Sequence, residues 1–490
     1  MDFTPLDVKS SYSLLKSPTR ISDLVTTAKE RGYKALALTD ENVLYGAVEF
    51  YNAAKKAGIK PIFGLRLVVA LNETDGTKLD LVFLAKNQRG YQHLMDLSTL
   101  QQTRKDKKAP LTVAQISPLL NELFIIIPPQ STVFSVLAQP TSILTELANL
   151  GDDDSVLLGV NSRLDDVQID TLQQLSKQLS LPLVGTSPVD YLNANDLFAS
   201  RVLQAIDAGV ELKDPTIEAE RRGQHYLHSK EQVIQDYKAK GLSAAAQKTV
   251  EVATLCNVEL QFRAPVLPHF KNQAGISSQQ YLRSLCIQGL KKRRVAPGKT
   301  IQQYQERLAM ELKIIHEMGF DDYFLIVWDV INFAHQQKIT TDPGRGSAAG
   351  SLVAYALAIT EVDPLQYDLL FERFLNPERA QMPDIDLDIP DNRRDEVLQY
   401  VHQKYGHQRV AQIITFGTLA AKQVVRDVSR VFNLPRYDMQ RLIDALPHGL
   451  HVTLKDALNE SQQLKNLLDD NPKFRLLIQV AQQLEGLPRH

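Results

Sequence analysis

Short apolar runs alternate with amphipathic stretches through the first 260 residues, and this alternation narrows the possible fold more than any other feature of the chain. Ile21–Arg31 and Tyr45–Ala57 read as helices, Ala35–Thr39 and Lys60–Ala70 as strands. Further strands are expected at Asp80–Ala85, Leu123–Ile127, Ser155–Val160 and Leu183–Gly185. Repeated strand–helix units predict a parallel sheet or a β/α barrel. With 490 residues the chain exceeds one core and has room for two to four domains, so the expected class is α/β multidomain. The stretch Gln101–Pro110, with Arg104, Lys105, Lys107 and Lys108, reads as a basic, solvated surface loop.

The second half changes character. A Pro-bearing segment, APVLPHF, around Pro265–Pro268 reads as a linker. Gln279–Arg294 reads as a helix ending in Lys291, Lys292, Arg293 and Arg294, a cluster that suits a helix C-terminus or DNA contact. Thr300–Met318 reads as a long amphipathic helix. Tyr323–Gln336 is a more apolar one whose Trp328 is expected in the core. From Phe416 the pattern is helical, with further helices at Met439–Leu446 and Phe474–Leu484. Thr418–Phe432 carries Lys422, Arg426 and Arg430 on one helical face. Such a stripe either tracks phosphates or is simply solvated.

Two motifs carry chemistry. In RFLNPERAQMPDIDLDIP, Arg373–Pro390, carboxylates alternate with branched apolar residues. Period-two alternation predicts a half-buried strand with Asp384, Asp386 and Asp388 on one face. Carboxylates so spaced can hold two divalent cations about 3.5–4 Å apart for in-line phosphoryl displacement, or form a solvated acidic face. A calcium loop fits poorly, since its Gly and Glu positions fall at Ile389 and Asp395. Upstream lies DPGRGSAAGSLVAYALAI, Asp342–Ile359. Gly344, Gly346 and Gly350 permit tight turns, Arg345 adds a fork suited to phosphate, and Ser347 can cap a helix. A Gly-rich loop opening a helix is an anion site, or a small-residue packing element. It lacks the Lys of the GxxxxGK[ST] pattern.

These two segments, with RFLNPER between them, resemble the palm of C-family bacterial replicative DNA polymerases. Gly32–Tyr51, Met318–Ile331 and Gln412–Arg430 agree with that family too, and the resemblance runs over essentially the whole chain. It implies a nucleotidyltransferase-like palm in which Asp384 and Asp386 bind two magnesium ions, with Asp388 in support. Gly346 and Ser347, beside Gly344 and Arg345, match the loop that meets the incoming triphosphate, and Arg373 matches a basic residue reaching the same phosphates. The substrates implied are dNTPs and primer–template DNA, with Lys422, Arg426 and Arg430 opening a helical thumb that grips the duplex. A sliding clamp and other replicase subunits would bind through regions absent here.

The first domain resembles the polymerase and histidinol phosphatase (PHP) module, a distorted β/α barrel with a metal-binding rim. Here the rim is degraded: its positions fall at Asp7, Lys9, Asp40, Glu41, Arg66, Asp80, Gly159, Pro188 and Asp190. Lys9 and Arg66 put positive charge where a cation would sit, so the expectation is a structural domain that has lost its metal site. The expected domains are residues 1–260 (PHP-like), 261–415 (first part of the palm) and 416–490 (thumb). The family's third catalytic Asp, in a Lys-x-Asp-Phe context, does not occur, so the chain reads as truncated and inactive alone.

A net charge of −2 excludes wholesale electrostatic coating of nucleic acid and leaves local basic patches. Two cysteines, no apolar leader and no 18-residue apolar run point to a cytoplasmic protein without a membrane span. Rival readings are a metal-dependent phosphoesterase or exonuclease in the first domain, and a non-catalytic scaffold.

Overall fold

A computed structural model describes the chain except residues 1, 73–77, 108, 132–139, 149–150, 152–153, 264–265, 273, 379–381, 448 and 450–451. Lys108 and Pro265, singled out above, therefore lie outside the described residues. The chain forms two compact units, Met1–Gln261 together with Thr415–His490, and Phe262–Ile414.

The first unit is built on a sheet of β1 (Ala35–Leu38), β2 (Lys60–Ala70), β3 (Lys78–Ala85), β4 (Leu111–Thr112), β5 (Leu123–Ile127), β6 (Val156–Val160) and β7 (Leu183–Gly185). The order is β1-β2-β3-β5-β6-β7, with β4 against β2. Every residue of β1, β5 and β6 is buried, as expected of strands covered on both faces. The sheet is mixed, which corrects the parallel expectation: β3 runs antiparallel to both β2 and β5. Only residues 71–77 join β2 to β3, and a parallel return needs a crossover of about a dozen residues or more.

The helices Ile21–Glu30 and Ala47–Ala57 close one side of this sheet around Phe50, Phe63 and Leu65. The C-terminal helices share a core with the helix Leu197–Ala208. At its centre is Ala421–Val431, whose Val424, Val425 and Val428 are wholly buried, and Phe198 meets Phe432 at 6.0 Å.

The second unit is helical, with Ser278–Leu290, Ile301–Glu317, Asp321–Gln336, Leu352–Ala356 and Arg394–Tyr405. Trp328 packs edge-on against Phe270 and Tyr281, at 6.4 and 6.2 Å. The acidic segment keeps the expected alternation: Asp384, Asp386 and Asp388 are exposed, while Ile385, Leu387 and Ile389 are half-buried. It pairs with no strand among the described residues, which corrects the expectation of a β-strand. Alternation fixes the two faces of an extended segment, but a strand also needs a neighbour to complete its hydrogen-bond ladder.

Candidate active site

The acidic segment is held at both ends. Ile385 N donates to the Tyr323 hydroxyl at 3.1 Å, and Asp342 N donates to Asp388 O at 3.4 Å. Beyond it, Ile389 packs with Ala334, Ile339 and Val397. The helix Arg394–Tyr405 is pinned by Tyr400 stacked on Phe333, with ring centroids 3.9 Å apart. Nearby, buried Asp329 accepts from the hydroxyls of Tyr400 and Tyr405, both at 2.9 Å, and pairs with Lys404. Burial is the main cause that raises the Tyr323 phenol; the hydrogen bond from Ile385 opposes it, and the charges of Asp384 and Asp386 add to it.

The Gly-rich loop comes up against these carboxylates. Gly344 has φ +108°, and a Cβ there would meet Thr360 Cγ2 at 2.7 Å, so only glycine fits. Gly346, at φ +65°, brings its backbone so close that a Cβ would lie 3.7 Å from Asp386 Oδ2. Between them Arg345 bridges two acids: Nη1 lies 2.8 Å from Asp386 Oδ2 and Nε 2.8 Å from Asp388 Oδ2. The fork read as a phosphate ligand is thus paired with the motif carboxylates. Asp384 is exposed on the same face. The turn Gly346–Gly350, with Ser347 exposed, packs against Phe371–Arg373, whose Arg373 is exposed.

The helix after the loop is not an open anion site. The Glu311 carboxylate accepts from Ser351 Oγ, Leu352 N and Val353 N, each at 3.0 Å, and pairs with Arg307 Nε at 2.6 Å. The cap is Ser351, whose hydroxyl accepts from Ala354 N at 3.1 Å, in place of the expected Ser347. An anion at this loop would therefore meet the exposed turn, since the first amides of the helix are already taken. Burial drives the Glu311 carboxyl up, against the two amides and Arg307 that favour its charged form. Sequence reading missed Glu311. Its signal was a carboxylate interrupting the buried series Tyr304, Leu308, Glu311, Ile315 on one helix face.

The basic candidates divide. On Ala421–Val431, Arg430 pairs with buried Asp427, which also binds Arg489 at 2.9 Å and accepts from Gln423 at 3.0 Å. Arg426 is exposed and Lys422 half-buried. In the cluster at 291–294, Arg293 is an internal tie: it stacks on Tyr355 at 4.1 Å, donates to Tyr355 O and Thr360 O, and pairs with Glu361.

At the sheet rim of the first unit, charge is neutralised internally. Arg66 Nη1 donates to both Asp7 oxygens, at 2.7 and 2.8 Å, and its Nε to Asp80 Oδ1 at 3.0 Å. Lys9 lies 2.9 Å from Glu41 and 3.2 Å from Asp190, which is also 2.9 Å from His225 Nδ1. Asp40, wholly buried, accepts from Ser10 N, Ser10 Oγ and Ser13 Oγ at 2.6–2.7 Å. Gly159 leaves no room for a side chain, since a Cβ would meet Ile127 O at 2.9 Å. Among the described residues, no three His, Cys, Asp or Glu side chains converge as a metal site.

A family described as the bacterial DNA polymerase III alpha NTPase domain matches residues 280–490, and the PHP domain family matches residues 5–128. By these matches the chain resembles the bacterial DNA polymerase III alpha subunit. It is 41% identical, over its whole length, to the DNA polymerase III subunit alpha of Halalkalibacterium halodurans, covering 44% of that protein. The Bacillus subtilis subunit is 40% identical with the same coverage, and the Escherichia coli subunit 35% identical, 43% of it covered. The chain thus spans less than half the length of these relatives. No helix among the described residues is long and apolar enough to cross a membrane.

Proposed function

We propose that this chain carries the nucleotide-handling part of a template-directed DNA polymerase, acting in the cytoplasm as part of a bacterial replicase. One observation supports this above the others: Gly344–Ser347 and Asp384–Asp388, far apart in sequence, meet through Arg345 and the close approach of Gly346 to Asp386. Exposed carboxylate oxygens on one face are donors for a hard cation such as Mg2+, which keeps several waters and needs few protein ligands. Asp384 and Asp386 would hold the two ions. Bound there, Mg2+ supplies Lewis acidity and charge neutralisation for in-line displacement at the α-phosphorus.

The chain's own residues then bind and orient. Gly344, Gly346 and Ser347 present the exposed turn to the triphosphate, and Arg373 approaches from the adjoining turn. Arg345 is released from Asp386 and Asp388 as it takes up phosphate oxygens. Lys422 and Arg426, with Arg430 where Asp427 yields it, contact the duplex backbone without reading bases. The PHP-like module is structural in this reading, with Lys9 and Arg66 supplying the positive charge that a metal would otherwise bring. Clamp and subunit contacts belong to regions of the relatives that this chain does not span.

The test is Asp384→Asn and Asp386→Asn in the complete polymerase. Each is expected to abolish primer extension while the thermal melt stays unchanged. Near-normal extension by either variant overturns the proposal.

A further inference from the structure

Half-buried Arg307 and buried Glu311 sit on one turn of the helix Ile301–Glu317, and together they reach two backbone segments, Gly350–Val353 and Leu369. Glu311 accepts from the first amides of the helix that follows the Gly-rich loop. Arg307 Nη2 donates to Gly350 O, the last residue of the loop's turn, at 2.9 Å. The same nitrogen donates to Leu369 O at 3.1 Å, just before the turn that carries Arg373. Gly350 is itself locked in: a Cβ there would lie 2.8 Å from Leu370 O. One ion pair therefore joins the Gly-rich turn to the Arg373 turn, the two backbone elements that the proposed function brings to the triphosphate.

Stability alone does not call for such a pair. The Glu311 side chain is fully buried and that of Arg307 only 19% exposed, and well-packed apolar residues often serve as well as a buried ion pair. What the pair adds is direction: a planar fork and a two-oxygen acceptor fix the carbonyls and amides they hold. We propose that Arg307 and Glu311 are positioning residues for the triphosphate site, setting the Gly346–Gly350 turn against Arg373 without touching the nucleotide. This rests on the polymerase reading above.

The experiment uses the complete polymerase with Arg307→Lys, Glu311→Gln and Glu311→Ala, and Asp384→Asn as control. Lysine keeps the charge but cannot hold Glu311, Gly350 O and Leu369 O together. Steady-state extension should give a dNTP KM about tenfold higher for Arg307→Lys, the mark of lost binding with the chemical step untouched. kcat and the KM for primer–template should stay close to wild type. Glutamine, which still accepts from the amides, should fall between wild type and Glu311→Ala. An unchanged dNTP KM in Arg307→Lys overturns the inference even if Glu311→Ala fails to fold. So does a parallel rise in both KM values, the mark of a merely loosened fold. Extension surviving in Asp384→Asn would instead remove the polymerase reading itself.

Discussion

Replacing Arg66 with methionine keeps the length of the side chain and removes its charge. Arg66 is 7% exposed and neutralises Asp7, 2% exposed, and Asp80 on the neighbouring strand. Arg66→Met strips both carboxylates of their ion-pair partner and leaves them only the more distant charge of Lys9. Removing one partner of a buried ion pair costs about 3–5 kcal/mol, and two carboxylates facing each other put this site at the upper end. A loss of that size lowers the melting temperature by roughly 5–10 °C in a unit of this size. The deficit should depend on pH. Burial raises the Asp80 carboxyl even with Arg66 present, whose charge opposes the rise. Without Arg66 it rises further. A raised folded-state pKa costs stability at high pH and is relieved as pH falls through it, so the deficit is largest near neutrality and shrinks in acid. Urea unfolding followed by circular dichroism at several pH values measures it, with the triple variant Asp7→Asn, Arg66→Met, Asp80→Asn as the neutral counterpart. A loss under 1 kcal/mol, or a triple variant no more stable than the single, refutes the claim that charge compensation holds this rim together.

Two further outcomes are expected. Burial pushes the Asp190 carboxyl up, but the His225 hydrogen bond and the Lys9 ammonium outweigh it and hold it at about 2. Its depressed value contributes stability above the unfolded pKa that is lost as pH falls from about 4 to 2. Asp190→Asn should flatten that part of the acid unfolding curve, by about 2 kcal/mol. Asp427→Ala strips buried compensation from Arg430 and Arg489 within the C-terminal helices. Both arginines still reach solvent, so the loss should be only about 1 kcal/mol, read as a lower urea midpoint at unchanged slope.

What sequence reading reached, and what it did not, divides along the range of the interactions. Strands β5, β6 and β7 were legible because a strand covered on both faces is a continuous apolar run ended by polar or Gly/Pro residues. The direction of β3 was legible only from the length of its link to β2. Alternation in Pro383–Ile389 set which residues are exposed but carried no information about a pairing neighbour. Charge pairing was the least legible. Arg66, Arg307 and Arg345 are the same residue type, and nothing local distinguishes a fork meant for phosphate from one meant for carboxylate, because the two anions match its geometry equally well. The structure pairs all three with acids and then separates them by exposure: their side chains are 9%, 19% and 54% exposed. A buried fork cannot give up its carboxylate without leaving that charge stranded. An exposed one is solvated either way, and its pair contributes little. Exchange of a carboxylate for a phosphate therefore costs least at Arg345, and this is the physical ground for the phosphate role proposed for Arg345 and the positioning role proposed for Arg307.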